Sequence, residues 1–171
     1  MGTAQLAGDY RGPLKTDRCT EPLVTRTDTK IVIVLRAGLP PELAANAAAV
    51  LGLSLGGRLP QLLGDAGRDA SGAVHAGLNT HPVPVVIADG DQIAELSGKV
   101  RERADVLSVG FTEVARRARD YGSYLDDLAV TPAGEIEYVG LALFGPRNRI
   151  TALTKRLPLL GRVDDRAPVA P

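Results

Sequence analysis

The chain reads as one layered α/β domain, its four-stranded sheet mixed but mostly parallel and flanked by helices. Three observations predict this. Short β-branched runs alternate with longer stretches of helical period along the middle of the chain. Each run is bounded by Gly, Pro, Asp or Thr, residues that end strands and open helices. With 171 residues and 44% apolar content, the chain has enough for one core.

Residues 1–28 mix Gly, Pro, Thr and charge without a sustained period and read as an extended arm. The domain is expected over 29–160, and residues 161–171 read as a flexible tail. Lys30 to Arg36, KIVIVLR, has the continuous apolar character of a central strand buried on both faces. Pro40 and Pro41 suit the first turn of a helix carrying Leu43, Ala47 and Val50 at helical spacing until Gly52, Gly56 and Gly57 loosen it. Residues 58–82 are rich in Gly and read as a long, irregular excursion.

Val83 to Ala88 is the second strand, with Pro84 restricting its place in the ladder. Asp91 to Ala104 is an amphipathic helix with Ile93, Leu96 and Val100 on one face. Val106 to Phe111 is the third strand. Arg116 to Ala129 is a helix aligning Tyr121, Leu125 and Leu128, weakened by Gly122. Glu135 to Phe144 and Pro146 to Arg156 complete the pattern as strand and helix, with no internal repeat.

Lys plus Arg number 20 and Asp plus Glu number 20, so no net field draws nucleic acid or an anionic membrane. Nucleic acid would need a local patch. The single cysteine, Cys19, excludes an internal disulfide framework and fits a reducing compartment. No run approaches the ~18 apolar residues of a membrane span, and Met1 is not followed by a signal pattern. The expectation is a soluble, cytoplasmic protein without a membrane partner.

Open α/β sheets bind ligands beyond the carboxyl ends of their strands, so a site is expected where the opening and closing helices begin, at one end of the sheet. Gly145-Pro146 opens the closing helix, and Arg147 and Arg149 follow where an anion would dock. Arg147, Thr151 and Thr154 share a helical face opposite Ile150, Leu153 and Leu157. An ordinary solvated face gives the same pattern. Asn46 lies beside the opening helix's apolar stripe, where a half-buried amide either serves a site or ties helix to loop. Lys30 reads equally as a snorkelling strand-end lysine.

Other motifs are weaker. Gly52-Leu53-Ser54-Leu55-Gly56 has the form of a nucleophile elbow but follows helical rather than strand sequence. His75 and His81, with Asp65 and Asp69 nearby, lack close ligand spacing, so no metal is expected. Asp89-Gly90-Asp91 lacks the later glutamate of a calcium loop. No Gly-x-Gly-x-x-Gly or Walker pattern occurs, and no cofactor is indicated.

Two blocks carry a resemblance. DTKIVIVLRAGLPPELAANAAAVLG resembles the opening strand, loop and helix of type II peptidyl-tRNA hydrolases, and VGLALFGPRNRITALTKRLPLL resembles that superfamily's closing strand, Gly-Pro turn and helix. Asp28-Thr29-Lys30 with the Gly-Leu-Ala-Leu-x-Gly-Pro-Arg run is similar to an uncharacterised bacterial domain family grouped with those hydrolases by fold. The resemblance implies the peptidyl-tRNA hydrolase II-like fold and matches Lys30, Arg36, Asn46 and Thr154 to family positions; Lys30, Asn46 and Thr154 are expected to be catalytic, and Arg36, Arg147, Thr151 and Thr112 to bind substrate, although the loop holding Thr112 has no clear counterpart in the hydrolases. Ala49 stands where the hydrolases hold a helix histidine, Pro41-Glu42 replaces their Gly-Lys, and Thr151 replaces an aspartate. The family's base is therefore missing.

The leading expectation is a domain that binds a small anionic or acylated ligand. One alternative is a hydrolase or acyl-transferring enzyme acting on an ester or amide through another base, with Lys30, His75 and His81 as candidates. The other is a non-catalytic homo-oligomeric module, a homodimer through the Tyr121–Tyr124 helix or an exposed edge.

Overall fold

The chain winds around one strand, β1 (Thr29–Arg36), whose residues from Ile31 to Leu35 are all 3% exposed or less. The computed structural model describes residues 28–161; Cys19 and nearly all of the expected arm and tail lie outside the described residues. Side chains alternate across a strand, so Ile31, Ile33 and Leu35 enter one core cluster while Val32 and Val34 enter the other. That two-sided burial is what the unbroken apolar run predicts.

Helix α1 (Pro41–Gly56) covers the first face, following a turn in which Gly38 takes φ 76°. Pro41 enters the first turn, where its missing N–H costs nothing. The buried stripe is Ala44, Ala47, Leu51 and Leu55, one residue round from the expected Leu43 and Val50. The helix also runs through Gly52, because Leu51 and Leu55 hold its last turns to the sheet against a glycine cost of ~1 kcal/mol. A Cβ on Gly140 would lie 2.7 Å from the Val34 carbonyl oxygen and 3.1 Å from Leu51, so glycine sets how closely α1 packs.

The excursion is more ordered than expected. It contains a 3₁₀ turn at Pro60–Leu62 and a hairpin of β2 (Gly67–Arg68) and β3 (Val74–His75), whose loop is tied by Asp69 accepting from the Ser71 and Ala73 amides. Strand β4 (Val85–Ala88) follows, then α2 (Gly90–Arg101), opened by a capping box between Asp89 and Gln92. Asp89 of the Asp-Gly-Asp run thus serves as a helix cap. Helix α2 lays Ile93, Leu96 and Val100 on the second face of the sheet, as its spacing predicts.

After β5 (Leu107–Thr112), the single helix expected over Arg116–Ala129 is instead two, α3 (Glu113–Arg117) and α4 (Tyr121–Val130). Each carries its own cap, Thr112 for α3 and Asp120 for α4, and local capping outweighs the continuous period. Helix α4 has no buried residue, and Tyr121, Leu125 and Val130 are exposed. Strand β6 (Tyr138–Pro146) and helix α5 (Arg147–Thr154) end the fold.

The sheet order is β4-β1-β6-β5, and the expectation of a mostly parallel sheet needs correction. Only β1 and β4 pair in parallel; β1 with β6 and β5 with β6 are antiparallel. Strands β4, β1 and β5 do run in one direction, but β6 returns between β1 and β5 and reverses both of its contacts. The far side of β4 is covered by residues 158–160: Ile87 N donates to the Pro158 carbonyl and Leu160 N to that of Val85, both at 2.9 Å.

Candidate functional site

The antiparallel pairing decides where the candidate residues go. Register places Lys30 opposite Gly145 and Leu35 opposite Gly140, so α5 starts at the amino end of β1 while α1 starts beyond its carboxyl end. The two helices begin at opposite ends of the sheet. Lys30 and Arg36, six residues apart on a strand, are separated by roughly 20 Å. The single rim expected from sequence is therefore two.

At the amino end, half-buried Lys30 extends toward α5, with Nζ 3.4 Å from Thr151 Oγ1. Arg147 lies exposed on the first turn of α5, and its backbone N–H donates to the Asp28 carbonyl at 2.8 Å, fixing the helix start to the strand start. Asp28, Arg147, Asn148 and Thr151 line a shallow surface cavity of about 520 Å³. Lys30, Arg147 and Thr151 are brought together as expected. Thr154 is not with them: it is 4% exposed and donates its hydroxyl hydrogen to the Ile150 carbonyl at 2.7 Å. Lying four residues after buried Ile150, it shares that residue's core-facing side.

Alternation puts Thr29 on the opposite face from Lys30, where its Oγ1 is 2.8 Å from His81 Nε2. His81 is buried, edge-on to Phe144, and its Nδ1 is 3.2 Å from Thr80 Oγ1. The Thr80 hydroxyl donates to the Leu62 carbonyl at 3.0 Å. Its one hydrogen is thereby used, so it accepts from Nδ1–H; in a neutral imidazole Nε2 is then the nitrogen that can accept from the Thr29 hydroxyl. His75 is exposed on the hairpin and pairs instead with Asp69, whose carboxyl this hydrogen bond holds below its ordinary value. The two histidines do not converge, and among the described residues no group of His, Cys, Asp and Glu could hold a metal ion.

At the carboxyl end, Arg36 is an ion-pair partner. Its Nη2 lies 2.6 Å from Glu113 Oε1, and Arg116 Nε approaches Glu113 Oε2 at 2.6 Å. Arg117 stands 3.5 Å from the same carboxylate. Burial pushes the Glu113 carboxyl up, but the hydrogen bonds from Arg116 and Arg36 outweigh it and hold it below its ordinary value. Thr112 is buried and accepts from the Ala115 amide as the cap of α3. Asn46 is exposed on the outer side of α1 and joins neither end. Ser54 lies within α1, without the strand before it that a nucleophile elbow requires.

Sequence reasoning missed the Glu113 cluster, although Glu113-x-x-Arg116-Arg117 places a carboxylate three and four residues before two guanidiniums. It also missed the link from Thr29 to His81, which nothing local announces across fifty-two positions.

The architecture defines a mixed-sheet α/β domain with charged side chains collected at both ends of a buried central strand. The chain belongs to the family described as "Protein of unknown function (DUF2000)", whose model matches residues 29–161. Among solved structures it is similar to the protein of unknown function Atu0240 from Agrobacterium tumefaciens str. C58. The TM-score is 0.70 at 23% identity, covering 77% of this chain and 97% of that one, a likeness of fold alone. No curated protein matches the chain.

Proposed function

We propose that this protein is a domain of the peptidyl-tRNA hydrolase II-like fold that binds a small anionic or acylated ligand at the amino end of β1. One observation carries the reading: among the described residues Lys30 makes no ion pair, and its nearest polar partner is a neutral hydroxyl at 3.4 Å. A half-buried ammonium with one long hydrogen bond retains donors for an incoming oxyanion. Arg147 adds a guanidinium at the same shelf. Thermal-shift titration with inorganic phosphate and with N-acetylglycine tests it. The wild-type midpoint should rise with ligand and that of Lys30→Ala should not; equal shifts in both would refute the assignment.

A second reading, ester or amide hydrolysis, is favoured by the chain Thr29–His81–Thr80. A hydroxyl donating to an imidazole whose other nitrogen is oriented is the arrangement that activates a nucleophile. In such a reaction the Thr29 oxygen would attack the acyl carbon while its proton moves to His81 Nε2. That proton would leave with the departing alcohol or amine, and water would release the acid. Turnover of p-nitrophenyl acetate that persists unchanged in His81→Ala and Thr29→Val would exclude it.

A further inference from the structure

Near the carboxyl end of β1, on the face of the sheet that α2 covers, a second group of polar side chains lies beside the open edge of β5. Tyr138, at the start of β6, is 9% exposed, and its hydroxyl oxygen accepts from Ser97 Oγ and from Arg101 Nη2, each at 2.8 Å. Ser97, on α2, is 5% exposed. The two hydroxyls own two hydrogens but share one bond, so among the described residues one hydroxyl hydrogen is left to donate. Tyr138, Ser97 and Arg101 all line a cavity of about 250 Å³ whose walls include Leu128, Ile136 and Leu141. No carboxylate lines it. Ser108, Thr112 and Tyr124 line it as well, so it presents hydrogen-bond donors and a positive charge beside the apolar groups of Leu128, Ile136 and Leu141.

This cavity meets a larger one, of about 490 Å³, at Ser108, Gly110 and Tyr124. The larger cavity is walled by Val50, Val109 and Phe111 from the first core face and by Ala118 and Tyr121 from the segment joining α3 to α4, and Ser54, Arg58 and Asp120 line its remaining side. Gly110 stands between them. A Cβ there would lie 2.9 Å from Tyr138 Cε1, so glycine keeps the tyrosine ring in place and the passage open.

We propose that the paired cavities bind an amphipathic carboxylate, its head on the Tyr138 hydroxyl and Arg101 guanidinium and its apolar chain passing Gly110 toward Phe111. A carboxylate accepts both donors together, and Val50, Val109, Phe111 and Ala118 beyond give its chain an apolar side to lie against. This site is separate from the Lys30 shelf, which lies on α5, and goes beyond the function proposed above.

The experiment is titration calorimetry with octanoate, with acetate as the head alone and octanol as the chain alone. Octanoate should bind one site at least tenfold more tightly than acetate. Arg101→Gln should weaken octanoate at least tenfold and leave octanol unchanged, and Ala118→Trp should erase the preference for octanoate over acetate. Arg101 is exposed, so its variant folds whether or not Tyr138→Phe does; where Tyr138→Phe folds, it should weaken octanoate as well. Lys30→Ala should keep this tight octanoate site, losing at most the weaker binding of small anions at its own shelf. Absence of octanoate binding in the wild type, equal affinity in Arg101→Gln, or loss in Lys30→Ala overturns the proposal.

Discussion

The two ends of β1 hold their cations differently. At the carboxyl end the Arg36 guanidinium meets a buried carboxylate at 2.6 Å, with Arg116 on the other oxygen; at the amino end the Lys30 ammonium, among the described residues, meets only a hydroxyl at 3.4 Å. A buried carboxylate needs compensating charge at all times, so the arginines around Glu113 are committed to the fold. Lys30 has no such obligation. A cation at a strand end is thus readable as structural or available only once its counter-ion is known.

The sharpest way to break this contrast is to remove Glu113. Glu113→Ala strands three guanidiniums against one another and should destabilise the domain by about 2 to 3 kcal/mol, below the upper range for buried pairs because the arginines are partly exposed. Urea unfolding measures it. An unchanged midpoint would make the cluster decorative.

Acid offers a second test. Because the Glu113 carboxyl is lowered in the folded state, its contribution is complete above its ordinary value of 4.5 and declines as pH falls below that value through the folded one. Wild type should lose stability over that acid range with a steeper slope than Glu113→Gln, followed by urea midpoints against pH. Identical slopes would contradict the ion-pair assignment.

Arg36→Ala should have a smaller effect, about 1.5 kcal/mol, because Arg116 and Arg117 still face the carboxylate. Lys30→Ala should have the least, under about 0.5 kcal/mol by the same urea measurement. A larger loss for Lys30→Ala than for Arg36→Ala would reverse the comparison.

Much of the fold was legible because its signals are local. The KIVIVLR run, the Pro41 start and the Ile93–Leu96–Val100 stripe each act within a few residues, and each appears where the pattern places it. Strand order was not, since β6 inserts beside β1 through contacts between the two ends of the domain. That one error moved the site. With β6 reversed, α5 starts beside Lys30 rather than Arg36, so Lys30, Arg147 and Thr151 gather while Arg36 and Thr112 join Glu113 elsewhere. Thr154 failed for another reason: a threonine can satisfy its hydroxyl on its own helix and then bury its methyl group, which makes it ambiguous in any face count.

The pairing of Lys30 with Gly145 also governs when this protein can fold during its synthesis. On the ribosome, at ~5–20 residues per second, β1 emerges many seconds before the strand that flanks it. Until then an apolar segment with strong β propensity has, among the described elements that pack on it, only α1, β4 and α2 to shelter it. Such a nascent chain is a natural client for chaperones that hold extended hydrophobic segments, and its yield should depend more on holding β1 apart than on the speed of any later step.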